Sequence, residues 1–166
     1  MKSRNVAFIT SALVCILLAP TTGEAAELAK SGSYDITNCW AGTSNVIVHS
    51  KAHIALSYTL TGTSRANKPG GPFDNQSFQC VGVTRVMQGT VTGDGICEYV
   101  DADGDKFLGR LTRTGNPGGE WTVINGTGKY AGITSGGTYK FLAQFPTVRE
   151  GHFQGCNRAT GTYKLK

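Results

Sequence analysis

The stretch His53-Ile54-Ala55-Leu56-Ser57-Tyr58-Thr59-Leu60-Thr61 decides the fold class. Ile54, Leu56, Tyr58 and Leu60 fall on one face, and His53, Ala55, Ser57 and Thr59 on the other. That period of two belongs to a half-buried β-strand. Asn45 to His49 reads as a short strand just before it. Arg65 to Asn75 contains Lys68-Pro69-Gly70-Gly71-Pro72, a long loop within one domain. Ser77 to Met87 carries Val81, Val83 and Met87 on one side. Gly93-Asp94-Gly95 reads as a turn. Ile96 to Asp101 and Lys106 to Arg113 read as hairpin arms around Ala102-Asp103-Gly104-Asp105. A turn at Asn116-Pro117-Gly118-Gly119 leads into a strand at Trp121 to Ile124, and Gly126 to Gly137 is a glycine-rich connection. In Thr138 to Phe145, Tyr139, Phe141, Ala143 and Phe145 share one face until Pro146 ends the run. Phe153 to Leu165 supplies one or two final arms around Gly161.

After residue 30 no segment keeps an apolar i, i+3, i+4, i+7 stripe for three turns, so no helix is expected. About eight strands with short connections favour antiparallel pairing. Such a set closes into a barrel or splits into two sheets. Closure removes the exposed edges that promote aggregation. Glycine, at 23 of 166 residues, fits the tight bends of a barrel wall. The reading is all-β: a small antiparallel eight-stranded β-barrel with disulfides, preceded by a signal peptide.

The signal peptide is assigned to residues 1–26 and the barrel domain to 27–166. Lys2 and Arg4 precede the apolar run Val6 to Ala19, Pro20 ends it, and Gly23, Ala25 and Ala26 supply small residues for cleavage. The run is too short to span a bilayer as a helix, which takes about 20 residues. Its loss removes Lys2, Arg4 and Glu24, and so lowers the formal charge by one from +5. The remaining basic residues are scattered, whereas a nucleic-acid footprint is clustered, so no nucleic acid is expected as partner. Cys15 leaves with the signal. Cys39, Cys80, Cys97 and Cys156 remain, and in an exported chain they imply two disulfides of unspecified connectivity. No pair has the C-x2-C spacing of a zinc site. The expected location is periplasmic or secreted, with no membrane span in the mature chain.

Ile124-Asn125-Gly126-Thr127-Gly128-Lys129-Tyr130-Ala131-Gly132-Ile133-Thr134-Ser135-Gly136-Gly137-Thr138-Tyr139 resembles a motif of allene oxide cyclase-like and dirigent-like barrels. In that motif a Gly-Thr-Gly or Gly-Ala-Gly is followed by an aromatic, a further glycine and then a strand. The corresponding positions are Gly126, Thr127, Gly128, Tyr130 and Gly132. Glycines there permit positive φ in a compact turn, and the aromatic plugs one end of the barrel. Gly95 to Asp105 is similar to an exported bacterial branch of the same family. The resemblance covers about residues 95–145 and implies a calycin-type barrel with a central cavity. It brings over no catalytic residue.

Asp101, Asp103 and Asp105 alternate like the start of a calcium loop, and a weak calcium site is one reading of them. Lys106 stands where such a loop needs glycine, and Thr112 where it needs glutamate. The competing reading is a polar hairpin turn. His49 and His53 have the i, i+4 spacing of a metal pair on a helix, but lie in strand-like sequence. No Gly-x-Ser-x-Gly elbow is present. Gly126-x-Gly128-x-x-Ala131 passes a loose dinucleotide pattern but leads into a strand, which lacks a helix N-terminus for the pyrophosphate. Tyr58, Tyr139 and Phe141 are candidates for lining a small-ligand cavity, or for filling the interior. Glu98 and Arg110, on facing hairpin arms, are candidates for a buried ion pair within it. Three functions follow: a non-enzymatic barrel binding a small apolar ligand, an allene oxide cyclase-like isomerase, or a structural or partner-binding protein. No cofactor is expected beyond weak calcium.

Overall fold

In the computed structural model, residues 28–115 and 117–166 are described, and the expected signal peptide, residues 1–26, lies outside them. Eight strands form a closed antiparallel barrel in sequence order: β1 (Ser31–Ser50), β2 (His53–Ala66), β3 (Gln76–Met87), β4 (Thr90–Val100), β5 (Lys106–Thr114), β6 (Gly118–Gly126), β7 (Thr134–Gln144) and β8 (His152–Lys164). β8 pairs back onto β1, with Cys39 opposite Cys156 and Asn38 opposite Asn157. One 3₁₀ turn, Gly128–Tyr130, interrupts the β-structure. No helix among the described residues is long and apolar enough to cross a membrane.

The alternation read at His53–Thr61 holds: Tyr58 and Leu60 turn inward and Ser57, Thr59 and Thr61 outward. Several local readings change. β1 begins at Ser31 rather than Asn45 and runs 20 residues. It sets Tyr34, Ile36, Asn38 and Trp40 in line with Gly42 and Ser44, a weak apolar pattern that hides the strand. Gly93-Asp94-Gly95 is not a turn but the middle of β4, paired with Val83 and Gly82 on β3. The glycines answer to a neighbour rather than to chain reversal. A Cβ on Gly95 would stand 2.5 Å from the Tyr58 hydroxyl oxygen, and one on Gly82 closer still. Gly137 and Gly161 make room for Tyr34 in the same way. β7 likewise starts inside the expected glycine-rich connection. Val81, Val83 and Met87 do share a side, and it is the solvent face. In β7 a register shift between Phe141 and Ala143 reverses the alternation, leaving Phe145 exposed.

An aromatic plug closes one end. Phe73, in the β2–β3 loop, adopts a positive φ of 61° and inserts beneath the barrel. Its ring meets Tyr34 at 5.3 Å, Tyr163 at 5.2 Å and Phe107 at 5.5 Å between centroids. Tyr130 packs edge-on against Phe107 at 5.2 Å and is buried, as the glycine-flanked aromatic is expected to be. Its hydroxyl accepts a hydrogen bond from Gln76 Nε2. A bulky residue in the left-handed region costs about 1–3 kcal/mol. Burying a phenyl ring among aromatics contributes a comparable or larger gain.

Both disulfides join neighbouring strands directly opposite one another. Cys39–Cys156 fastens the β1–β8 seam that closes the barrel, and Cys80–Cys97 links β3 to β4 on the interior face.

Candidate functional site

Beyond the plug the interior is not filled. A cavity of about 280 Å³ is bounded by Tyr58 and Leu60 of β2, Trp40 of β1, Leu111 of β5, and Tyr139 and Phe141 of β7. It is roughly twice the ~150 Å³ that accepts a benzene ring in an apolar core. Edge-on aromatic pairs set its walls: Trp40 with Phe141 at 6.0 Å, Tyr139 with Phe141 at 5.8 Å, and Tyr58 with Phe153 at 6.3 Å. The Arg113 guanidinium lies 4.9 Å from the Phe141 ring centroid. The β7 register shift turns Gln144 toward Gly155 and the cavity in place of Ala143.

Two asparagines interrupt this apolar lining. Asn38 of β1 and Asn157 of β8 stand opposite one another, and Asn38 Nδ2 donates to Asn157 Oδ1 at 2.9 Å. Asn38 is 4% exposed, and its Oδ1 has no hydrogen-bond partner in the protein. A buried acceptor left without a donor costs about 1–3 kcal/mol. Sequence reasoning passed over both residues. Asparagine at an inward position of a strand was the available signal, but it shows only once β1 is traced back to Ser31.

Of the five candidate ligand residues, Tyr58, Tyr139 and Phe141 line the cavity. Burial raises the Tyr139 pKa to about 12 and raises that of Tyr58 too, so both hydroxyls stay protonated at neutral pH. Glu98 and Arg110 are outside it. In the β4–β5 register Arg110 faces Ile96, so Asp94 and Glu98 lie on its two diagonals, two residues to either side. Glu98 and Arg110 each find another partner on the outer surface. Arg110 grips Asp94 through Nε at 3.0 Å and Nη2 at 2.7 Å, and Lys106 reaches Glu98 at 3.2 Å. The expected Glu98–Arg110 pair is therefore replaced by two exposed pairs, each side chain taking an oppositely charged neighbour on its own face.

The acidic hairpin also departs from the calcium reading. Asp101 Oδ1 accepts the amides of Asp103 at 2.9 Å and Asp105 at 3.1 Å, which is turn chemistry. Lys129 from the 3₁₀ turn sends its ammonium between Asp101, at 2.8 Å, and Asp103. Asp105 Oδ2 accepts the Lys129 amide at 3.0 Å. Burial alone would raise the Asp101 pKa, but Lys129, Tyr130 and the Asp103 amide outweigh it and hold it below the ordinary value. A lysine thus occupies the place a cation would take. Among the described residues, no group of three or more His, Cys, Asp or Glu side chains is arranged to hold a metal ion.

No family model matches the chain. No curated protein matches it. Among solved structures the chain is similar to a pterocarpan synthase dirigent protein, at 8% identity and a TM-score of 0.49, over 96% of this chain and 100% of that one.

Proposed function

We propose that this protein is an exported, non-enzymatic barrel whose cavity binds a small, largely apolar molecule carrying one hydrogen-bond donor. The unpartnered, buried Asn38 Oδ1 in the wall of the aromatic cavity carries the reading. A ligand hydroxyl or amine donating to it would satisfy an atom that the fold leaves unmet, while rings of Trp40, Tyr58 and Phe141 cover the rest. The cavity's ionisable groups favour binding over acid–base chemistry. Burial moves the pKa values of its tyrosines further above neutrality, and the carboxylate of Asp94 turns outward to Arg110. A general acid or base works best with a pKa near the operating pH.

Export is supported by the two disulfides, which persist in oxidising compartments. One measurement tests both parts: native mass spectrometry of the protein purified from its own host without detergent. The expected spectrum shows the chain starting near residue 27 with no free thiol, and an added mass of a small molecule that leaves on denaturation. Purified protein that stays apo, and remains so when offered millimolar small aromatic alcohols and amines, overturns the ligand reading. A chain retaining residues 1–26 overturns the export reading.

A further inference from the structure

The tip of the β1–β2 hairpin gathers soft metal ligands that sequence spacing alone had separated. His49 and His53 are four residues apart on different strands, a spacing unsuited to a metal pair along one strand. The hairpin folds them together. Their rings lie 6.2 Å apart between centroids at an interplanar angle of 71°. The register shifts between Val48 and Ser50, and such a bulge re-aims the side chain it carries, here His49. His53 is directly opposite Met87 of β3, which places imidazole and thioether side by side on the outer face. Met87 is 43% exposed, so its sulfur is within reach of solvent ions.

We infer that His49, His53 and Met87 form a surface site for a soft monovalent metal cation, of the copper(I) or silver(I) class. The ring spacing is suitable. Metal–nitrogen bonds of about 2.0 Å, at angles between tetrahedral and linear, set two imidazole centroids about 5–6.5 Å apart. The Ser50 hydroxyl is 3.1 Å from His53 Nδ1. With Nδ1–H donating to it, Nε2 keeps the lone pair a metal needs. The tip is also held in place: Ala52 N donates to Ser50 Oγ, and Gln88 N donates to Ala52 O across the neighbouring turn.

The surroundings choose the class of ion. Thioether and imidazole together select soft copper(I), whereas hard cations want carboxylates. Residues 46–55 and 83–90 contain no aspartate or glutamate and carry Lys51 and Arg85. A low-charge, soft ion suits such a neighbourhood better than a divalent one.

The test is a silver(I) titration at pH 7, with zinc(II) in parallel. It uses the full chain without a polyhistidine tag and with Cys15→Ser, so that the remaining cysteines are those of the two disulfides. Native mass spectrometry reads stoichiometry, and NMR reads the His Hε1 and Met87 methyl signals. One silver ion binding at micromolar concentration is expected, shifting His49, His53 and Met87 together. Met87→Leu should weaken silver at least tenfold and leave zinc unaffected. His53→Gln should weaken silver at least a hundredfold, with the thermal midpoint unchanged in both variants. Absence of binding at micromolar silver, signals that shift elsewhere, zinc bound as tightly as silver, or silver affinity surviving both substitutions would each overturn the assignment.

Discussion

Replacing Asn38 and Asn157 together by leucine separates the site from the fold. In the ligand-free protein the Asn38 Oδ1 is buried without a donor, a penalty of about 1–3 kcal/mol. The Asn38–Asn157 hydrogen bond returns only about 1 kcal/mol. Substituting both partners removes the bond and the penalty together and leaves no widowed polar group. Two leucines, branched like asparagine at Cγ and extending into the open cavity, add apolar area to a wall already made of Ile36, Trp40, Phe141 and Ala159. The expected result is a ligand-free protein about 1–3 kcal/mol more stable than the natural one. At about 3–4 °C per kcal/mol for a domain of this size, the melting point rises about 3–12 °C. Urea unfolding checks this, since a higher midpoint at unchanged slope reports stability alone. The same variant should lose hydroxyl- or amine-bearing ligands while retaining purely apolar ones. A double variant more than about 1 kcal/mol less stable than the natural protein would refute the argument, because the pair would then be holding β1 to β8. Undiminished binding of a hydroxyl-bearing ligand would refute it equally.

The two disulfides should differ in worth. Cys39–Cys156 closes a span of 117 residues and Cys80–Cys97 one of 17, so chain entropy assigns them about 5 and about 3 kcal/mol. Denaturant midpoints of the paired Cys→Ser variants should fall in that order, and the reverse order would show that packing around the interior Cys80–Cys97 pair dominates. Arg158, with Asn67, holds the Asp35 carboxyl down to about 2 across the β1–β8 seam. Because the native value lies below the unfolded one near 3.9, this contribution is present above about pH 4 and is lost as pH falls through about 2. The pair is partly solvated, so the loss stays below about 1 kcal/mol, and Asp35→Asn should flatten the unfolding profile between pH 4 and pH 2. Gly82→Ala would drive a methyl into the Tyr58 hydroxyl and the backbone carbonyl of Asp94. Overpacking of that kind costs about 1–3 kcal/mol. Tyr58 should swing into the cavity and weaken ligand binding, and a neutral Gly82→Ala in both assays would deny the glycine its role.

The barrel was legible because its cause is local. Alternation at His53–Thr61, and in β7 as far as Phe141, needs only neighbouring positions to be read, with turn residues between the runs. What escaped depends on register. Glu98 and Arg110 look like partners from their places on two arms, yet both pairs form along the other diagonal of the ladder, Asp94 with Arg110 and Lys106 with Glu98. The Asp101–Asp105 hairpin resembles a cation loop until Lys129, 24 residues after Asp105, supplies the cation from another turn. The two asparagines of the cavity are 119 positions apart and meet only where the last strand closes on the first.

Glycine placement joins the fold to the cavity. Tyr58, Gly82 and Gly95 form one row across β2, β3 and β4, and Tyr34, Gly161 and Gly137 form another across β1, β8 and β7. In each row one ring lies down over two missing side chains. A ring lying along the wall occupies less of the lumen than one standing across it. At the plugged end, Tyr34 lies beneath Phe73 and Trp121 and the space is filled. On the cavity side Tyr58 meets Phe153 only edge-on, at 6.3 Å, and the space remains. The abundant glycine that first reads as turn chemistry thus also sets how far the aromatic residues reach inward. The cavity is then a product of the strand register rather than a packing fault. A fault would be expected to be apolar throughout and to close under substitution. This one keeps an asparagine acceptor in its wall at a cost to stability, which is what a site for a donating ligand requires.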